Sequence, residues 1–261
     1  MGKIIEFKNT NFGYNNVKTF NDFNMEIEEG VIASMIGTSG SGKTTLLKML
    51  CHKLPNDTCY YMGKNFQESD VDKLKREVVI VFDSPIISES VRGEIVRYLK
   101  QIGIKGEEIN DKYMKLREYF GLDRIENIST SELTWSDKYL VKILRYLIIE
   151  PKFLAIDSIL TNLSKENKEK VFGFIKEKKI TFLNVTNDID EVLYGSKLYV
   201  LDAFVLILEG STLSVLKTDT LLKRLGFKLP LPVDLSIELN HYDILKKIYT
   251  DKDKLVNALW K

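Results

Sequence analysis

Over residues 3–36 apolar and polar positions alternate with the two-residue period of half-buried strands, with turns expected at Asn15-Asn16 and Glu29-Gly30. Residues 31–36 close that region as a short apolar run, the mark of a buried strand. A helix is expected from about residue 45 to the breaker cluster Leu54-Pro55-Asn56-Asp57, then a short β segment over 59–62 that stops at Gly63. Residues 78–82 repeat the buried-strand pattern. From about 84 to 150 the texture becomes helical and densely charged, with breaks at Ile102-Gly103 and Phe120-Gly121. A strand over 153–156, a helix over 165–178 and a strand over 180–185 follow. Residues 198–208 and 211–216 read as a closing hairpin turning at Glu209-Gly210, and beyond Gly226 come Leu229-Pro230-Leu231-Pro232 and a polar helical tail. Strands alternating with helices predict an α/β fold with a mostly parallel sheet. An antiparallel β-subdomain precedes it, a helical subdomain at about 84–150 interrupts it, and a small extension over 226–261, a possible dimerisation element, follows the main domain of residues 1–225.

The composition is that of an ordinary globular chain of 261 residues, 44% hydrophobic and 29% charged. With 38 basic and 37 acidic residues the net charge is +1, which gives no electrostatic reason to expect nucleic acid as partner. The longest apolar stretch, near 198–208, contains Asp202 and falls far short of the ~20 residues that span a bilayer. The N-terminus alternates like a strand and has no signal-peptide pattern, so membrane contact is expected only through partners. Cys51 and Cys59 point to a reducing compartment without disulfides. With His52 and His241 the only histidines, too few ligands exist for a structural metal site.

Chemistry enters at Gly37-Thr38-Ser39-Gly40-Ser41-Gly42-Lys43-Thr44, which reads G-x-x-x-x-G-K-T between a buried strand and a helix. The glycines let the backbone turn its N–H groups towards phosphates, Lys43 is expected at the β/γ-phosphate oxygens, and the Thr44 hydroxyl at Mg²⁺. Thr45 continues into the helix, whose N-terminus favours an anion. This P-loop predicts a site for ATP and Mg²⁺. A P-loop also needs an acidic residue at a neighbouring strand end to hold the metal. Asp157, after the strand of 153–156 and more than 100 residues downstream, suits that role.

The layout resembles the ATP-binding subunits of ABC transporters over nearly the whole chain. The resemblance places Tyr14, in Phe12-Gly13-Tyr14, where an aromatic ring stacks on adenine, and Asp83 where a glutamine near Mg²⁺ is usual. Leu133-Thr134-Trp135-Ser136-Asp137 aligns with the L-S-G-G-Q signature, which contacts the ATP held by a partner's P-loop. Asp157-Ser158 stands where the family has Asp-Glu, and Thr186-Asn187-Asp188 where it has Thr-His-Asp. The helical insert, the segment from Gly226-Phe227 to Leu239 and the short C-terminal extension are most similar to the energy-coupling-factor ATPases. Those pair with a second ATPase subunit and a transmembrane coupling protein at the cytoplasmic face of the membrane.

The departures weaken the chemistry that the resemblance implies. Ser158 cannot act as general base at neutral pH, a loss of ~10²–10⁴ in rate. Asn187 keeps a donor but no positive charge, a loss of ~10²–10³, and the two overlap because such residues act as a unit. Asp83 adds a carboxylate that either coordinates Mg²⁺ or repels phosphate, and Asp83 and Asp188 are the candidate replacement bases. Thr134 heads a Thr-x-x-Asp capping pattern with Asp137. Trp135 and Ser136 replace glycines, and Trp135 reads equally as a nucleotide-facing residue or as packing that bends the loop away. The expectation is an importer subunit that binds Mg²⁺-ATP with slow or no turnover and works in a heterodimer. The alternative is a regulatory or soluble ABC-type protein without a transport role. The transported substrate leaves no trace in the sequence.

Overall fold

Long alternating segments become the paired outer strands in the computed structural model, which describes residues 2–15 and 17–260. Strand β1 (Lys3–Tyr14) pairs antiparallel with β2 (Val17–Glu28), and the turn expected at Asn15-Asn16 includes Asn16, which lies outside the described residues. The apolar run becomes β3 (Ile32–Gly37), followed by α1 (Lys43–Leu50), β4 (Cys59–Tyr61), β5 (Lys64–Asn65), α2 (Val71–Glu77) and β6 (Val78–Val81). The helical subdomain holds α3 (Val91–Gln101), α4 (Glu107–Phe120) and α5 (Trp135–Leu147). Then come β7 (Phe153–Asp157), α6 (Lys165–Glu177), β8 (Thr181–Val185), β9 (Lys197–Asp202) and β10 (Val205–Ser211). The chain closes with α7 (Thr212–Leu216), α8 (Asp219–Arg224), α9 (Leu231–His241) and α10 (Lys252–Leu259).

Two sheets result. One is antiparallel, ordered β2-β1-β4-β5; the other is ordered β10-β9-β3-β8-β7-β6 and is parallel except for the edge pair β9–β10. The expected α/β architecture is therefore present, with the antiparallel N-terminal sheet beside a mostly parallel one. Because β7 is buried on both faces, its neighbours in sequence serve different cores. Phe153 and Ala155 pack with α1 and the N-terminal sheet, while Leu154 and Ile156 pack with the helical subdomain and α6. Chain crossovers leave the C-terminal ends of β3, β6, β7 and β8 along one edge, where open parallel sheets place their ligand sites.

The expected hairpin is displaced. The turn lies at Ala203-Phe204, with Val205 opposite Asp202, and residues 212–216 are helical rather than extended. Ala203 and Phe204 both have positive φ, 44° and 66°, without a glycine to announce it. Their conformation is held from outside: the Phe204 N–H donates to the Ser41 carbonyl (3.1 Å), and its ring meets Phe20 edge-on at 5.3 Å. At the other end the Ser211 hydroxyl accepts from the Ser214 N–H (3.2 Å) and starts α7. Two further elements, β5 and α2, stand outside those expected from the sequence; α2 is capped by Asp70, whose carboxylate accepts from the N–H groups of Asp72 and Lys73.

Candidate nucleotide site and signature end

Strand β3 ends at Gly37 and α1 begins at Lys43, so the five positions between strand and helix form the loop that the motif predicts. Gly42, at φ 104°, is the N-cap of α1. A Cβ there would stand 2.5 Å from Phe20 Cζ and 2.8 Å from Phe204 Cδ1, so only glycine fits. No side chain caps α1 and no acidic residue stands in its first turn, which leaves backbone N–H groups and the positive end of the dipole available to an anion. Ser39 and Gly40 are exposed at the loop tip, whereas Ser41 and Gly42 are buried. The loop is braced by the β9–β10 turn, where the Thr38 hydroxyl donates to Asp202 (2.7 Å).

Lys43 folds over the loop and is 9% exposed. Its ammonium donates to the carbonyls of Gly37 (2.7 Å) and Thr38 (3.1 Å) and to the Ser41 hydroxyl (3.3 Å). Burial lowers its pKa, and the nearby Asp157 carboxylate partly offsets that. The Thr44 hydroxyl donates to Asp157 Oδ2 at 2.7 Å, which brings the two expected metal ligands together across the sheet edge. Tyr14 stands at the helix start with its hydroxyl 3.2 Å from Thr45 Oγ1 and its ring 41% exposed, buttressed edge-on by Phe12 at 4.9 Å.

Beyond Asp157 the chain turns through Ser158, which adopts a left-handed φ of 57° and donates its N–H to the Val185 carbonyl (2.8 Å). Its hydroxyl lies 3.3 Å from Asp157 Oδ1. Asn187 is exposed two residues past the end of β8, at the same edge, and no hydrogen bond joins it to Ser158 among the described residues. Asp188 is engaged locally, its Oδ1 accepting from the Asp190 N–H (3.0 Å) to cap the turn of Ile189–Tyr194. No hydrogen bond joins Asp83 to Thr44 or Asp157 among the described residues. Its carboxylate instead takes the Lys142 ammonium (2.6 Å) and the Tyr139 hydroxyl (3.1 Å), both on α5. Burial opposes ionisation of Asp83, yet these two donors outweigh it and hold the carboxyl below its ordinary range.

The signature end is tied up within the chain. Thr134 caps α5, accepting from the Asp137 N–H (3.2 Å) and donating its hydroxyl to Asp137 Oδ2 (2.7 Å). The same carboxylate is forked by Arg124, once at 3.0 Å and once more closely. The Ser136 hydroxyl accepts from the Ser164 N–H (2.8 Å) and the Asn167 amide (2.9 Å) at the start of α6. Trp135 is 65% exposed, donates its indole N–H to Asn162 (3.2 Å) and packs against Tyr139 at 5.1 Å. Residues given no site role by the sequence thus shape both ends: Asp202 and Phe204 under the P-loop; Arg124, Asn162, Asn167, Tyr139 and Lys142 around α5. Only Asp202 left a cue, as a charge inside an apolar run.

The P-loop end fits a nucleoside triphosphate with a divalent cation. A buried ammonium and an uncapped helix start converge on one loop, and a hydroxyl–carboxylate pair of hard oxygen donors sits beside it. Residues 20–161 match the family model described as ABC transporter. The chain belongs to the ABC transporter family. Within it, the chain is similar to the energy-coupling factor transporter ATP-binding protein EcfA1 of Mycoplasma mobile, 27% identical over 99% of this chain and 97% of that one. It is also similar to EcfA1 of Staphylococcus aureus, 24% identical over 91% and 93%. In fold it resembles cbiO1 from Clostridium perfringens, part of the ABC transporter complex cbiONQ, with a TM-score of 0.74 at 22% identity over 94% of this chain and all of that one. The protein is thus an ABC transporter ATP-binding subunit similar to the energy-coupling-factor ATPases, and the ATP-binding assignment agrees with the P-loop geometry.

Proposed function

We propose that this ABC subunit powers an importer of the energy-coupling-factor type, binding Mg²⁺-ATP at its own P-loop with weak or no hydrolysis there. The observation that carries the reading is the contrast at the end of β7. Asp157 and Thr44 are in place 2.7 Å apart, but the next side chain is the Ser158 hydroxyl. In this reading Lys43 and the loop N–H groups hold the β/γ-phosphates, Thr44 and Asp157 hold the cation, and Tyr14 stacks on adenine. Mg²⁺, when bound, supplies charge neutralisation at the phosphates. A serine does not remove a proton from water at neutral pH, and Asn187 offers a donor without charge. The candidate substitutes are committed elsewhere, Asp83 to α5 and Asp188 to its own turn.

A second ATPase subunit then carries most of the turnover, since a homodimer would repeat the same defects in both sites. The exposed Tyr242 and Trp260 of the C-terminal extension support a contact with that partner. A transmembrane coupling protein would dock in the cleft between α1 and the helical subdomain. This cleft, about 290 Å³, is lined by His52, Lys53, Leu74, Phe82, Tyr98 and Tyr146 among others. The loop beside it is held by the buried Glu94, which accepts from the N–H groups of Ile87 and Ser88 and pairs with Arg145. Among the described residues no helix is long and apolar enough to cross a membrane, so attachment to the cytoplasmic face would come through the coupling protein.

The test is ATP binding and single-turnover hydrolysis by the purified chain, with and without Ser158→Glu/Asn187→His. Tight Mg²⁺-ATP binding with negligible turnover, raised by ~10²-fold or more in the double variant, is expected. Brisk turnover by the unmodified chain would overturn the reading and return Asp83 and Asp188 as replacement bases.

A further inference from the structure

Asp83 and Asp157 leave the same edge of the sheet on adjacent strands. In the β6–β7 register Val81 lies opposite Ile156, so Asp157 is one residue and Asp83 two residues beyond the last pair. Neighbouring strands run about 4.8 Å apart. A second carboxylate is therefore placed beside the Thr44–Asp157 pair, close enough to be felt by a triphosphate and its metal. Its present partners lie on the opposite side, in the helical subdomain. Lys142 is only 12% exposed, its ammonium is 2.6 Å from Asp83 Oδ1, and it also sits 4.3 Å over the Tyr139 ring. Tyr139 adds its hydroxyl to Asp83 Oδ2 and packs against Trp135. An uninterrupted contact chain thus joins the end of β6 to the signature residue at the start of α5.

We propose that Lys142, with Tyr139, is a positioning residue that holds the Asp83 carboxylate on α5 and so sets how strongly ATP binding depends on Mg²⁺. The proposal rests on the nucleotide-site reading above. With Lys142 present, the Asp83 charge is matched and metal-free ATP meets little repulsion. Without it, the carboxylate is unpaired next to the phosphates, which weakens metal-free ATP while giving Mg²⁺ a further oxygen donor. Lys142 and the cation are alternative partners for one carboxylate.

The experiment compares the affinity for ATP with Mg²⁺ against that with excess chelator, by calorimetry on the full chain. Lys142→Met is expected to raise this ratio about fivefold, the weight of one unmatched charge several ångströms away in a partly solvated site. Lys142→Arg keeps the unmodified ratio. In an Asp83→Asn background, where no carboxylate is left to repel phosphate or to hold the metal, Lys142→Met is expected to shift the ratio by less than it does in the unmodified chain. A Trp260→Phe variant leaves Trp135 as the sole tryptophan, so its emission reports the Tyr139–Lys142 cluster directly and is expected to shift when Mg²⁺-ATP is added. Asp83 is well exposed, so Asp83→Asn remains informative if Lys142→Met folds poorly: it is expected to flatten the metal dependence. ATP binding with an unchanged ratio in Lys142→Met, or an equal change in the Asp83→Asn background, would overturn the proposal alone. Failure of the unmodified chain to bind ATP would overturn the nucleotide reading and this proposal with it.

Discussion

Helix α1 opens on Gly42 and helix α5 on Thr134, and the two starts treat the same physics in opposite ways. Each helix presents unsatisfied N–H groups and a positive dipole end. At α1 no side chain caps them and the first turn holds no acid, so the charge of an incoming phosphate has no internal competitor. At α5 the Thr134 hydroxyl accepts from the backbone, Asp137 brings a carboxylate into the first turn, and Arg124 neutralises that carboxylate in turn. Ser136 and Trp135 are further fastened to α6 and to the turn of Leu160–Asn162. One helix start is kept open at a cost in local stability; the other is stabilised and spends its donors internally. On the reading proposed above the open start receives the chain's own nucleotide, while the side chains of the signature end spend their hydrogen bonds within the chain.

Substitutions at the two starts separate these roles. Gly42→Ala forces a side chain into left-handed backbone and against Phe20 and Phe204, a combined cost of about 2–4 kcal/mol in unfolding free energy. ATP affinity measured by calorimetry is expected to fall with it. Asp137→Ala removes a buried charged acceptor with several donors and is expected to cost about 2 kcal/mol in denaturant unfolding, with ATP affinity within twofold of the unmodified chain. An equal loss of ATP binding in both variants would erase the distinction between the ends.

The acid dependence of the Asp137 effect sharpens the comparison. Burial disfavours its ionised form, but the Arg124 guanidinium and the Thr134 hydroxyl outweigh burial and hold the carboxyl below its ordinary 3.8. Its contribution is therefore full above that value and lost as pH falls through the lower, folded-state value. The stability gap between the unmodified chain and Asp137→Ala should be constant at neutral pH and narrow below about pH 3.8, measured by denaturant titrations at stepped pH. Thr134→Ala, which removes only the cap, is expected to cost about 1 kcal/mol; no loss at all would mean that Arg124 and Asp137 hold the helix start without it.

Much of the fold was legible because burial on both faces writes apolar runs: β6 and the body of β7 carry them unbroken, β3 with only Ser34 set in it, and β8 with Thr181 and Asn184. The P-loop was legible for a related reason: its chemistry is local, with glycines, lysine and threonine acting through backbone geometry within a few residues. The β9–β10 turn was not. Its left-handed Ala203 and Phe204 are held by Ser41 and Phe20, more than 160 residues away in the chain, and within the run only the charge of Asp202 interrupts the apolar pattern. The same limit applied to Asp83, where the sequence showed a carboxylate at a strand end but not which cation it would meet.

Composition, periodicity and one eight-residue motif by themselves determined the layered α/β architecture and the place of the nucleotide loop, since each depends on spacing along the chain. Only the tertiary structure decided where the polar side chains spend their hydrogen bonds: Asp83 on Lys142, Asp137 on Arg124, Ser136 on Ser164 and Asn167. Those pairings join elements remote in sequence, and a side chain with several possible partners takes the one that packing brings within reach.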